Sequence, residues 1–167
     1  MHPKRFSPKP AMLAKLGAVT LALGLALTGC AGGDSAPGKT TETTLSKTDG
    51  GAETTVTYIA EGDSPKQQIT KNVVNYELSQ IPDRAAAEEQ VGGLVEKFQG
   101  IPGVEHSIEF GDTELVETVT LTYADLDVEK LALATGAEPG DDPEGAKKVS
   151  LKEAVATLTG AGFTEQK

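Results

Sequence analysis

Apolar and polar positions begin to alternate at Thr54, and the first regular region predicts a β-hairpin. Residues 54–60 are mostly β-branched or aromatic, as is typical of a strand. Residues 61–65 contain glycine, aspartate, serine and proline, which favours a turn, and residues 66–78 continue as a second, longer strand. Two strands joined by so short a connection pair in antiparallel fashion.

A second hairpin is predicted between residues 104 and 123. Val104, His106, Ile108 and Phe110 alternate with polar residues, which indicates a half-buried strand. A turn at residues 111–112 leads into a strand with one apolar face. The apolar face carries Leu115, Val119, Leu121 and Tyr123, and the other face carries Val116, Thr118, Thr120 and Thr122.

A helix is predicted between the two hairpins. Asp83 can cap its N-terminus, and apolar residues then recur at helical spacing. These residues are Ala87, Val91, Leu94, Val95 and Phe98. Gly92 and Gly93 interrupt the stripe at about 1 kcal/mol per glycine relative to alanine. The pair indicates either a close approach of helix to sheet or a break in the helix.

The C-terminal third of the chain predicts a second helix. Residues 125–133 favour a short helical turn, and residues 138–144 form an acidic loop. Ser150 and Glu153 match a capping box, and the residues that then face inward are Leu151, Val155 and Leu158. The order of elements predicts an α+β fold, with an antiparallel sheet of about four strands in two hairpins and two helices packed on one face.

The residues before Thr54 lack this periodicity. Residues 31–52 are rich in Gly, Ser, Thr and Asp and have few apolar residues, so they predict a disordered tether. We therefore divide the chain into a signal peptide at 1–29, a lipidated cysteine and tether at 30–53, and a domain at 54–167.

The signal peptide ends in a lipobox. Four basic residues precede the uncharged segment Leu16–Thr28, whose 13 residues are too few to span a membrane. Leu27-Thr28-Gly29-Cys30 then predicts cleavage between Gly29 and Cys30 and lipidation of Cys30. Two or more acyl chains anchor a protein stably, at about 0.8 kcal/mol per buried methylene. This pattern predicts a protein attached to the cell membrane on its extracytoplasmic face.

Charge narrows the range of partners. Cleavage after Gly29 leaves 138 residues with 11 basic and 25 acidic side chains, a net charge of −14. Nucleic acids and anionic lipid head groups are bound by basic patches, so we expect no nucleic-acid partner. Cationic partners and divalent ions stay open. Cys30 is the only cysteine, so the domain forms no internal disulfide.

Short motifs along the chain resemble the YehR-like lipoproteins, a bacterial family of uncharacterised function. They are Leu27–Cys30, Val56–Tyr58, Lys97–Glu105, Thr118–Tyr123, and Leu158 with Gly160–Phe163. The resemblance implies a lipid anchor and a compact α+β domain, and it implies no catalytic residues. The Asp-, Glu- and Pro-containing insert at 138–144 departs from the family pattern.

Candidate chemistry is sparse. His106 is the only histidine after the signal peptide and lies on an apolar strand face, which favours a structural role at the core edge over that of a catalytic base. Zinc sites use several Cys and His side chains, so we expect no zinc. Asp141, Asp142 and Glu144 lack the spacing of an EF-hand loop, which favours a solvated loop over a calcium site. We expect no cofactor.

Together these observations predict a membrane-anchored extracytoplasmic lipoprotein that acts as a binding or scaffolding module and is not an enzyme. Its partner would be an unidentified protein or small ligand. Two alternatives stay open: an envelope enzyme with a carboxylate-based site, and a carrier for a small hydrophobic or cationic ligand. Convergent carboxylates in a cleft would favour the enzyme, and a preformed apolar cavity would favour the carrier.

Overall fold

A single antiparallel sheet organises the computed structural model, which describes residues 39–136, 145 and 147–166. The described residues form six strands in the order β4-β5-β3-β2-β1-β6. The strands are β1 (Thr40–Asp49), β2 (Ala52–Glu61), β3 (Ser64–Asn75), β4 (Val104–Phe110), β5 (Glu114–Thr122) and β6 (Thr164–Glu165). All neighbouring pairs are antiparallel, with β3 and β2 at the centre.

Helices follow the strands in four segments within the described residues. They are α1 (Arg84–Val91), α2 (Leu94–Phe98), α3 (Val128–Thr135) and α4 (Leu151–Gly160). Asp83 caps α1 by accepting from the Ala86 N–H at 2.9 Å, as predicted. Gly92 and Gly93 separate α1 from α2, so the pair marks a helix break. A close approach to the sheet does not explain the pair, because a Cβ at Gly93 would meet no atom within 4 Å and one at Gly92 would meet only Glu88 of α1.

The sheet has six strands among the described residues, which corrects the sequence-based prediction of about four. Both predicted hairpins are present, but β1 and β6 add two strands, and α3 adds a third helical region when α1 and α2 are taken as one interrupted helix. The predicted tether is wrong over Thr40–Asp49, which form β1 and bury Leu45 completely. A strand with a single apolar residue is stabilised by its position between two neighbours, which composition alone does not reveal.

The remaining N-terminal predictions, including Gly29 and Cys30, lie outside the described residues, and so does the acidic loop with Asp141, Asp142 and Glu144. No helix in the described part of the chain is long and apolar enough to cross a membrane.

Three apolar clusters lie between the sheet and the helices, all on one face of the sheet. Leu131 of α3 and Phe98 of α2 pack over Val119 of β5 in the first cluster. Leu158 of α4 packs over β1 and β2 in the second, and Ala87 of α1 lies with the third, over β3 and β5. We call this helix-covered side the inner face. Alternate residues of each strand point to the opposite side.

The turn between β2 and β3 is hydrogen-bonded to the start of α4 through one carboxylate. Asp63, between β2 and β3, accepts a hydrogen bond from the Ser150 hydroxyl at 2.8 Å and another from the Lys152 N–H at 2.9 Å. Ser150 in turn caps α4 by accepting from the Glu153 N–H at 3.3 Å, which confirms the Ser150 half of the predicted capping box. These bonds hold the C-terminal helix at one end of the inner face.

Candidate functional site

Polar side chains are buried on the inner face, along the centre of the sheet. Gln68, Thr70 and Asn72 occupy successive inward positions of β3, and Glu117 lies beside Asn72 on β5. Each is less than a tenth exposed. We call these four residues the polar strip. Buried polar groups destabilise a fold unless they are hydrogen-bonded, so their partners decide what the strip can do.

Four strands are joined by one line of hydrogen bonds through the strip. The Thr54 hydroxyl on β2 donates to Asn72 Oδ1 at 2.8 Å, and Asn72 Nδ2 donates to Glu117 Oε2, also at 2.8 Å. Glu117 Oε1 lies 2.8 Å from Nε2 of His106 on β4. The strand register aligns Thr54, Asn72 and Glu117 directly across three strands, which brings these groups together.

A second group of polar contacts lies nearer the other end of β3. The Tyr123 hydroxyl donates to Gln68 Oε1 at 2.8 Å, and Gln68 Nε2 donates to the Thr70 hydroxyl at 3.2 Å. Burial raises the pKa of Tyr58 to about 12. Burial, together with the neighbouring Tyr58, also raises the pKa of Tyr123. Both phenols therefore stay protonated near neutral pH, and Tyr123 acts as a hydrogen-bond donor to Gln68.

Glu117 is held in its ionised form. Burial acts to raise the pKa of its carboxyl group, but the hydrogen bonds from His106 and Asn72, with the charge of His106, outweigh burial and lower the pKa below its ordinary value of 4.5. A carboxylate that accepts two hydrogen bonds is favoured over its neutral acid. Glu117 therefore carries a negative charge on the inner face at neutral pH.

His106 is oriented by this carboxylate and covered by Phe98. Its side chain is 1% exposed, and its ring meets the Phe98 ring edge-on with centroids 4.9 Å apart. Nδ1 is buried and has no hydrogen-bond partner in the described part of the chain. Carboxylate-oriented imidazoles serve as general bases when their second nitrogen reaches a substrate. Here that nitrogen faces the protein interior.

The structure places His106 where its sequence pattern predicted, on one strand face with Val104, Ile108 and Phe110. Its partner Glu117 was missed. Glu117 lies two residues from both Leu115 and Val119 on the same strand, so the alternation of side chains directs all three to the inner face. The polar positions of β3 were missed too, although they alternate in step with buried Val74.

The opposite side of the sheet, which we call the open face, has no described element packed on it. Hydroxyl side chains dominate it. They are Thr44, Ser46, Thr55, Thr57, Ser107, Thr118, Thr120 and Thr122. One register row crosses all six strands as Ser107, Thr118, Lys71, Thr55, Ser46 and Thr164. Half-buried Ile59, Ile69, Val73 and Val116 lie between the hydroxyl groups.

The two edges of the sheet differ. β1 is partly covered by β6, which pairs at Leu45 and Ser46, and the Gln166 N–H adds a bond to the Thr44 carbonyl at 2.8 Å. At the other edge, β4 pairs with β5 and has no described strand on its far side. Its exposed side chains are Glu105, Ser107 and Glu109.

Asp127 is an acidic side chain with a structural role. Asp127 caps α3 by accepting from the Lys130 N–H at 3.0 Å and pairs with Lys130 Nζ at 3.1 Å. Those two contacts with Lys130 lower the pKa of Asp127. Within the described ranges, no group of three or more His, Cys, Asp or Glu side chains is placed to hold a metal ion.

Comparison with known proteins identifies the family. A family model described as "Protein of unknown function (DUF1307)" matches residues 41–164. The chain belongs to this family. The match includes β1, in agreement with its place in the sheet. The uncharacterised lipoprotein Lin0239 of Listeria innocua is 32% identical over 73% of this chain and 78% of its own length. The uncharacterised lipoprotein Lmo0207 of Listeria monocytogenes is 29% identical over 92% of this chain and 97% of its own length.

Two solved structures share the fold. The solution structure of Escherichia coli YehR has a TM-score of 0.65 at 23% identity and covers 77% of this chain and 92% of that one. A protein from Streptococcus pneumoniae has a TM-score of 0.55 at 16% identity, over 99% of this chain and 100% of that one. The predicted YehR-like lipoprotein family is thereby confirmed, and the relatives carry no established activity.

Proposed function

We propose that this protein is an extracytoplasmic, lipid-anchored binding module that engages a partner protein through the open face of its sheet. The lipobox ending at Cys30 and the naming of the Listeria relatives as lipoproteins support the anchor. An anchor at one end of the chain leaves the folded domain to act on molecules at the membrane surface.

The open face is the observation that carries the proposal. Hydroxyl groups donate and accept hydrogen bonds, so the row through Thr118, Lys71 and Thr55 offers directional contacts across the whole sheet. Threonine is β-branched and restricted at χ1, which limits the entropy lost when a partner binds. The half-buried aliphatic side chains between the hydroxyls add apolar contact area.

The contacts of the inner face also support binding through the open face. Its polar groups form hydrogen bonds with one another, and Glu117 is already paired with His106 and Asn72. The side chains of the open face are half-buried or exposed, with Lys71 exposed at its centre. A sheet with one face packed against helices and the other face uncovered by any described element suits a scaffold for recognition.

Site-specific photo-crosslinking in living cells tests the proposal. A photoreactive amino acid at Thr118, on the open face, is expected to give a discrete protein adduct. The same group at Glu89, exposed on α1, is expected to give none. Lys71→Glu should abolish the adduct from residue 118, because it reverses the charge at the centre of the row. Equal adducts from both positions, or an adduct insensitive to Lys71→Glu, would contradict binding through this face.

The anchor has its own test. Cys30→Ser is expected to abolish metabolic lipid labelling and to remove the covalent attachment to the membrane, because the thiol is the acceptor of the lipid. Ser35→Ala, a change nearby in the chain that leaves the thiol intact, is the control. Lipid labelling that persists in Cys30→Ser would contradict lipidation of Cys30.

One observation favours a second candidate, an envelope enzyme with a carboxylate-based site. Glu117 and His106 form a carboxylate–imidazole pair at 2.8 Å, and His106 Nδ1 has no hydrogen-bond partner among the described residues. Such a pair would need Phe98 to move before a substrate could reach it. Diethyl pyrocarbonate, which modifies accessible imidazoles, should react with His106 only slowly in the folded protein. Rapid modification would favour the enzyme.

A further inference from the structure

The backbone of β4 alternates between paired and unpaired groups. The Thr122 N–H donates to the Gly103 carbonyl and the Gly111 N–H donates to the Glu114 carbonyl, both at 2.8 Å, at the two ends of the β4–β5 ladder. The same register runs through the strand. Because hydrogen-bonded pairs alternate in an antiparallel ladder, residues 105, 107 and 109 direct their N–H and C=O groups toward β5.

His106 and Ile108 therefore direct their N–H and C=O groups away from the sheet. Within the residues that the structure describes, neither N–H group takes part in a hydrogen bond outside the β4–β5 ladder, and no strand lies beyond β4. The opposite edge differs, since β6 covers the middle of β1. A row of unpaired backbone groups is a template for an added strand.

Side chains on β4 determine what can be added. Glu105, Ser107 and Glu109 are exposed and point to the open face, with the two carboxylates four residues apart. In an antiparallel pairing of two copies of β4 with greatest overlap, Ser107 would face Ser107 and each Glu105 would face a Glu109. Like charges directly opposite one another destabilise a strand pair. A second copy of this chain is therefore disfavoured.

We propose that β4 binds an extended segment of a partner protein that carries basic side chains four residues apart. This inference rests on the proposed binding function and names the surface and the chemistry of the partner. The segment extends the sheet by one strand, as in other complexes formed by strand addition. Its backbone pairs with His106 and Ile108, and its basic side chains lie opposite Glu105 and Glu109. The strand thus continues the open face.

A synthetic peptide serves as the probe. In acetyl-Thr-Lys-Val-Thr-Val-Lys-Thr-amide, antiparallel pairing sets the two lysines opposite Glu109 and Glu105 and the central threonine opposite Ser107. Binding is measured by fluorescence anisotropy with the full-length protein in an uncharged detergent. Glu105→Lys/Glu109→Lys is expected to weaken binding at least tenfold. The same variant should instead bind a peptide in which both lysines are replaced by glutamate.

A matched control separates the β4 edge from overall charge. Glu42→Lys/Glu53→Lys makes the same change in net charge at two exposed acidic residues on β1 and β2. This variant is expected to change the affinity for the lysine peptide less than twofold. Equal weakening by the two double variants would overturn the proposal, because it would mean that the peptide responds to net charge alone.

Backbone methylation tests strand addition itself. The two valines of the peptide lie opposite His106 and Ile108, so their N–H groups face β4, whereas the lysine N–H groups face away. N-methylation of both valines should weaken binding at least tenfold, and N-methylation of both lysines should change it less than twofold. Peptide binding should also slow amide exchange at His106 and Ile108.

Failure of this inference is distinguishable from failure of the proposed function. A peptide that does not bind, or whose binding survives valine methylation, would overturn strand addition at β4. Crosslinking from Thr118 does not depend on the peptide. An adduct from that position alone would leave the open face as the binding surface and remove β4 as the point of entry.

Discussion

The two faces of the sheet use the same residue types in opposite ways. Glu117 and Glu109 lie on neighbouring strands, but Glu117 is 8% exposed and bonded to two side chains, whereas Glu109 is exposed. Thr70 is buried on the inner face, and Thr118 is half-exposed on the open face. The comparison shows that polar residues of this sheet are buried and hydrogen-bonded on one side and half-buried or exposed on the other.

The polar strip also explains how the strands keep their register. A shift of β5 by one residue relative to β3 would turn Glu117 to the open face and separate it from Asn72, because side chains alternate with a period of two. The buried carboxylate and His106 would then lose their partners. We infer that the strip contributes specificity of strand pairing, while the three apolar clusters around it supply the stabilisation by burial.

The largest effect is expected from removal of the buried carboxylate. Glu117→Ala should lower the free energy of unfolding by about 4 kcal/mol, because it leaves Asn72 and His106 without their partner in the protein interior. Glu109→Ala, the same substitution on the open face, should change it by less than about 0.5 kcal/mol. Urea denaturation of both variants measures the difference. Similar losses would mean that the two faces are not energetically distinct.

The next largest effect tests whether β1 belongs to the inner face. Leu45 is fully buried and packs with Val56 and Leu158. Leu45→Ala should lower the free energy of unfolding by about 3 kcal/mol, within the range for buried leucines. Thr44→Ala, one residue away on the open face, should have a much smaller effect. A negligible loss for Leu45→Ala would favour the disordered tether that sequence composition predicts for this segment.

Leu45 illustrates how much of the fold could be predicted. The approximate positions of β2 to β5 were predicted from the sequence, and the inward faces of β4 and β5 were predicted from their alternating apolar residues. β1 contains one apolar residue among threonines and charges, and β6 has only two residues, so neither gives a periodic signal. Their stability depends on neighbouring strands, which are distant in sequence.

The candidate site was predicted in part for a similar reason. His106 was placed correctly on its strand face, but its partner was not, because pairing between β4 and β5 decides which carboxylate it meets. Gln68 and Asn72 lie within the predicted strand 66–78, but their burial was not predicted. Burial of a polar side chain depends on the partners that satisfy it, and a partner on another strand is not visible in local sequence.

Acid pH should lower the free energy of unfolding through the buried carboxylate of the inner face. The pKa of Glu117 is lowered in the folded protein, so the unfolded chain binds a proton first as pH falls below about 4.5. The contribution of Glu117 is therefore present above pH 4.5 and is lost as pH falls through the folded pKa. Glu117→Gln should show a shallower loss of stability below this pH than the parent protein, measured by urea denaturation at several pH values.

Glu109→Gln is the matched variant on the open face. Its pH dependence should follow that of the parent protein, because Glu109 is exposed and has no charged partner within the described residues. If Glu109→Gln reduced the loss of stability at acid pH as much as Glu117→Gln did, the effect would arise from overall charge and not from the buried pair.

The smallest effect compares two threonines. Thr70→Ala removes a buried hydroxyl that accepts from Gln68, and it should lower the free energy of unfolding by about 1 kcal/mol. Thr118→Ala on the open face should lower it by less than about 0.5 kcal/mol, because its side chain touches no described helix. Thermal and urea denaturation at two protein concentrations measure both. A loss above about 1 kcal/mol for Thr118→Ala that grows at higher protein concentration would mean that the open face packs against a second copy. The comparison between a covered and an available face would then hold only for the isolated chain.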